Sequence, residues 1–164
     1  MELRGVDPFE IIRPLLGTPA WGIRLGVGSF LTVEFGAPEV ASPAAAKHGE
    51  LHLWLYMCAW RIEKGEHILA GSDDDRPEIE AALQDLEFGD AEQVELVKPS
   101  LDLRVQFRSG ARLVTFAASS AHDQAQWMLF TPNGYCLTVF GDGSYEHTPR
   151  TAPRPRSLHR LPYK

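Results

Sequence analysis

Between residues 50 and 63 both alternating faces of the chain are largely apolar. Leu51, Leu53, Leu55, Met57 and Ala59 fall on one face; His52, Trp54, Tyr56, Cys58, Trp60 and Ile62 fall on the other. A strand with no wet face has to be covered on both sides, so this run predicts a central strand in a layered structure. The period of two also argues against a helix here. Lys64-Gly65 then turns the chain into a hairpin partner at 67–70.

The same period appears on either side. Residues 21–25 and 29–35 read as strands joined through Gly26-Val27-Gly28. In the second of them Leu31, Val33 and Phe35 face one way, and Phe30, Thr32 and Glu34 the other. Leu101, Leu103, Val105 and Phe107 alternate with Asp102, Arg104, Gln106 and Arg108, a strand with one wet face. Ser109-Gly110, Asn133-Gly134 and Asp142-Gly143 are turn signals between further strand-like runs at 111–117, 127–131, 135–140 and 144–145. Connections this short force antiparallel neighbours.

Two helices are expected. Asp7-Pro8 is a start signal before Phe9, Ile12, Leu15 and Leu16, with Gly17 as a stop. A longer helix follows Pro77 to about Phe88, with Ile79, Ala82, Leu83 and Leu86 on one face. The fold class predicted is α+β: a single domain, predominantly an antiparallel sheet of consecutive hairpins, with one or two covering helices. A length of 164 residues and a 44% apolar share fit one domain with one core.

The domain is expected over 1–146, followed by a Pro/Arg-rich tail over 147–164. Arg150, Arg154, Arg156, Arg160 and Lys164 give that tail +5, which leaves the acidic remainder at −11. An acidic body argues against wholesale nucleic-acid binding and fits a basic partner. No apolar run reaches membrane-spanning length and no secretory leader is visible, which points to a cytoplasmic protein without a membrane partner. Cys58 and Cys136 fit no disulfide framework and no zinc spacing, so both read as buried, reduced thiols.

Three residues carry the sharpest chemistry. His48, Glu50 and His52 are spaced two apart, so on a strand they would share a face, and two imidazoles with a carboxylate suit zinc or ferrous iron. Glu34 is a further ligand candidate. Trp54, Tyr56 and Trp60, with Glu34, form an alternative row for binding a partner or small ligand. Each has a plain structural reading as well: a loop histidine, a solvated glutamate, and large side chains filling a core. Gly26-x-Gly28 lacks the helix a phosphate loop needs. Asp73-Asp74-Asp75 suits a helix start better than a calcium loop. His122-Asp123 has no serine or cysteine partner that spacing can assign. No catalytic residue and no cofactor is assigned, and a metal-dependent hydrolase stands as the alternative to a non-catalytic binding protein. Homo-oligomerisation is left open.

Residues 28–36 (GSFLTVEFG), 49–62 (GELHLWLYMCAWRI), 126–134 (QWMLFTPNG) and 142–145 (DGSY) together resemble a family of small bacterial proteins of unknown function, some of them similar to immunity proteins of toxin systems. The resemblance covers most of residues 20–146. It implies a compact protein that acts by binding another protein, with no cofactor and no catalytic residues to carry over.

Overall fold

The computed structural model describes residues 5–39 and 48–150. Eleven strands form one sheet in the order β11-β10-β9-β3-β2-β1-β6-β7-β8-β4-β5, and every strand pair is antiparallel. They are β1 (Pro19–Leu25), β2 (Leu31–Glu39), β3 (His48–Leu55), β4 (Ala59–Lys64), β5 (His67–Gly71), β6 (Gly89–Val97), β7 (Asp102–Phe107), β8 (Ala111–Phe116), β9 (Ala125–Phe130), β10 (Tyr135–Phe140) and β11 (Tyr145–Pro149).

The sheet folds over on itself where β1 meets β6. The ladder there has two residue pairs, Pro19 with Asp90 and Ala20 with Gly89, and continues into hydrogen bonds of Gly17 and Thr18 with Ala91. Six strands lie on one side of it and five on the other, and their inner faces share one core. Phe35 of β2 stacks on Phe107 of β7 with ring centroids 6.3 Å apart. Trp127 of β9 donates its indole N–H to the Leu101 carbonyl at 3.1 Å, and Trp60 of β4 donates to Ser29 at 2.7 Å. Each indole therefore fills the inter-layer space and also satisfies a carbonyl at its edge.

The helices are minor. Helix α1 (Pro8–Ile12) is capped by the Asp7 side chain, which accepts from the Phe9 N–H, and runs into a 3-10 turn, Arg13–Leu15, at Pro14. Gly17, at φ 74°, ends it. Helix α2 (Arg76–Gln84) buries Ile79 and Leu83 and stops before the expected Phe88. Phe88 instead leaves the helix and enters the core, 4.2 Å from the Phe107 ring. The protein is thus an antiparallel-sheet structure with two short helices, a more sheet-dominated architecture than the α+β expectation.

The run that anchors the sequence reading is two strands instead of one. Leu51, Leu53 and Leu55 of β3 point into the core, and so do Trp60 and Ile62 of β4. Odd positions face inward before residue 56 and even positions after it, because residues 56–58 carry the chain from one layer to the other. This parity switch explains why both faces of the run are apolar. Strand β6 was not expected from the sequence. Its alternation is blurred by Asp90, Glu92 and Glu95 and by a register shift between Ala91 and Gln93. At the other end, β11 extends to Pro149, so the first residues assigned to the tail form an edge strand. The rest of the tail, 151–164, lies outside the described residues.

Candidate functional site

The site begins with an irregularity in the β2–β3 pair. The strands run in step from Leu31–Leu55 to Phe35–Leu51, then shift so that Pro38 faces Gly49 and Glu39 faces His48. The extra length sits at Gly36, at φ 80°, and its carbonyl accepts from the Trp21 indole at 2.7 Å. Such a bulge bends a strand and re-aims its side chains. Across it, Gly49 lies against the β2 backbone so closely that a Cβ at this position would sit 2.4 Å from the Phe35 carbonyl oxygen.

The consequence is that Glu34, His48 and His52 converge. Their ligand atoms all lie within 4.8 Å of one another. Glu34 Oε1 is 2.5 Å from His52 Nδ1 and 3.2 Å from His48 Nδ1. Glu34 Oε2 accepts the Gly49 backbone N–H at 2.7 Å. The two imidazoles meet edge to face, with centroids 4.7 Å apart. Exposure rises outward, from 5% for the Glu34 side chain through 17% for His52 to 56% for His48. A carboxylate at the bottom thus holds two rings that open towards solvent.

Glu50 is not part of this group. It lies on the same outward face of β3 as the two histidines, as alternation predicts. At the bulge, however, it projects over Gly36, where a Cβ would lie 2.7 Å from its Oε2, and it is exposed. The carboxylate that completes the cluster is Glu34, across the strand pair from His52. The sequence signal for it is a glutamate in the largely apolar stretch 30–35.

The aromatic row divides. Trp60 is buried in the core between the layers. Tyr56 is buried on the outer face of the sheet in a smaller cluster with Met128, Cys136 and Phe140, and its ring lies 4.4 Å from Phe30. Trp54 alone of the three reaches the site. It lines a pocket of about 350 Å³ together with Glu39, His48, His52, Phe130 and Arg150. Phe130 lies 5.6 Å from the His52 ring and 5.7 Å from the Arg150 guanidinium.

Burial, the largest influence on Glu34, pushes its carboxyl up. The His52 hydrogen bond, the Gly49 N–H, the His52 charge and the His48 hydrogen bond together outweigh it, and the carboxyl ends below its ordinary value. Glu34 is therefore a carboxylate in the folded protein. Its contribution to stability is complete above the ordinary value of 4.5 and is lost as pH falls through the lower folded value. Below pH 4.5 the urea midpoint of the wild type is expected to fall more steeply with acid than that of Glu34→Gln. Equal slopes would contradict the assignment.

Gly49→Ala tests the bulge. The added methyl has no space beside Phe35, so a loss of about 1–3 kcal/mol in unfolding free energy is expected. The Gly49 N–H would also be displaced from Glu34. Denaturant unfolding of the variant measures the first effect, and the chemical shifts of the His48 and His52 imidazoles the second.

The two thiols are buried and free. Burial pushes Cys58 up to about 12 and raises Cys136 as well, so neither offers a thiolate near neutral pH. Among the described residues no helix is long and apolar enough to cross a membrane. Searches with family models, among curated proteins and among solved structures return no match to this chain.

Proposed function

We propose that the protein is a divalent-metal-binding domain. In this reading Glu34, His48 and His52 hold one transition-metal ion, and an open coordination position faces the pocket beside Trp54 and Phe130. The observation that carries the reading is the convergence of two imidazole nitrogens on one carboxylate oxygen whose partner oxygen is already tied down by Gly49. Two histidines and a glutamate, with a fourth position left open, are a ligand set suited to catalytic zinc. The Gly49 N–H acts as an outer partner that orients the ligating carboxylate.

The distances are informative. Bonds of about 2.0–2.1 Å in a tetrahedron place ligand atoms roughly 3.3 Å apart. The His48–Glu34 separation of 3.2 Å already meets this. The His52–Glu34 separation is shorter, that of a close hydrogen bond with its proton between the two atoms. Loading an ion would displace that proton and open the pair by less than an ångström, so binding should release protons and weaken in acid.

The test is metal content. After equilibration with Zn²⁺ and removal of excess, the wild type should retain about one ion per chain, and His52→Ala should retain none. A wild type that retains no zinc, or a variant that retains as much, would overturn the reading.

A second reading, a partner-binding protein of the immunity type, has one observation in its favour. The edge strand β5 exposes Ile68 at 64% and Leu69 at 37%, and an edge strand offers unpaired backbone groups to another chain. Cross-linking in lysate of the source cell should then capture a partner that Ile68→Asp loses. Capture unaffected by that substitution would count against docking at this edge.

A further inference from the structure

The pocket above the proposed ion has a definite chemistry. Its floor and wall are aromatic and held in place. Trp54 is braced edge to face by Tyr56 at 5.2 Å and by Phe30 at 6.4 Å. Phe130 is fixed between the His52 ring and the Arg150 guanidinium. The register of β3 and β9 pairs His52 with Phe130 and Trp54 with Met128, which makes Trp54 and Phe130 diagonal neighbours on one face of the sheet. A volume of about 350 Å³ is at the small end for a small-molecule site and has room for one ring and its substituents.

Charge decides what such a ligand carries. Arg150 gives one N–H to the Thr131 carbonyl at 2.6 Å, and a guanidinium has five. Among the described residues, the charged groups at the site are Glu34 beneath the imidazoles, and Glu39 and Arg150 at the pocket wall. With both imidazoles neutral, as metal ligands must be, the two carboxylates exceed the one guanidinium by a single negative charge. A divalent ion turns that into a single positive charge. The loaded pocket therefore attracts an anion.

We propose that the ion's open position is completed by the carboxylate of a small organic acid whose flat apolar body lies against Trp54 and Phe130 and whose charge is met by Arg150. This inference rests on the metal reading above. An apolar body on two rings, an oxyanion on the ion and a guanidinium beside it are the features that would separate such an acid from acetate on one side and from a neutral aromatic on the other.

The experiment uses the full chain loaded with Co²⁺, whose visible d–d absorption reports the ion's coordination directly. Benzoate is the probe, with benzamide and acetate as controls. Benzoate is expected to shift the Co²⁺ bands saturably, benzamide to leave them unchanged, and acetate to require at least about tenfold higher concentration. Arg150→Gln, at an exposed position, should keep the Co²⁺ spectrum and weaken benzoate about tenfold or more. Trp54→Leu provides a second variant that should weaken benzoate without changing the Co²⁺ spectrum of the ligand-free protein. Absence of Co²⁺ absorption in the wild type would overturn the metal reading and this inference with it. Intact Co²⁺ bands that benzoate does not shift would overturn this inference alone. Equal benzoate affinity in wild type and Arg150→Gln, or equal affinity for acetate and benzoate, would overturn the recognition described here.

Discussion

Glu34→Gln is expected to abolish divalent-ion binding at micromolar concentrations while leaving the protein folded. The amide retains the shape of the carboxylate, and its oxygen can still accept the Gly49 N–H. It carries no charge for the ion, however, and it turns an N–H group towards His48 and His52. Removing an outer hydrogen-bond partner of a metal ligand commonly costs 10–100-fold in affinity; loss of a ligand itself should exceed about 100-fold. A competition titration with a chromophoric chelator measures the change. Glu50→Gln is the internal control. Glu50 lies between the two histidines in sequence, projects over Gly36, and its substitution should leave affinity within about twofold. The reverse pattern, with Glu50→Gln impaired and Glu34→Gln intact, would mean that the ion sits elsewhere.

The largest stability effect is expected at Trp127. This indole is 1% exposed, sits on β9 between Leu55 of β3 and Val139 of β10, and reaches across the layers to the Leu101 carbonyl. Trp127→Ala removes the ring from the shared core and leaves that carbonyl without its donor. Large aromatic-to-alanine changes in a core cost about 3–5 kcal/mol. Against the roughly 5–15 kcal/mol typical of a domain, that is a fifth of the total at the least. A fall in Tm of roughly 6–20 °C should follow. Trp127→Phe keeps most of the packing and loses only the hydrogen bond, so its cost should be about 1–3 kcal/mol. Urea unfolding of both variants checks the order. Equal, small losses would mean that the two layers do not depend on this contact.

What the sequence made legible was local. The inward set Leu31, Val33 and Phe35 follows from a period of two. The β9–β10 hairpin follows from Asn133-Gly134, and the α1 cap from Asp7-Pro8. Each depends on neighbours a few residues apart, where steric and hydrogen-bonding preferences act directly. The pairing of β3 with β9, of β4 with β8 and of β1 with β6 joins segments far apart in the chain, and no local preference encodes it. The turnover at residues 56–58 was hidden for a related reason. A strand covered on both sides and two strands that exchange their inward parity produce the same apolar run.

The site was half legible. His48 and His52 stood out because imidazoles are uncommon in an apolar strand, and their spacing suggested a common face. The identity of their carboxylate depends on the register of β2 against β3, which sets Glu34 directly across from His52. One residue of slippage decides which glutamate meets the histidines. Gly36 and Gly49 were present in the sequence, but a glycine in a strand signals a bulge without saying which side chains it brings together.

The most direct test of the account is a crystal structure of the zinc-soaked protein with anomalous diffraction measured at the zinc edge. One strong anomalous peak is expected about 2.0–2.2 Å from Glu34 Oε1 and from one nitrogen each of His48 and His52, with the remaining position open to the Trp54–Phe130 pocket. A map with no peak at this cluster, or with zinc bound elsewhere while His52 Nδ1 stays on Glu34, would contradict it.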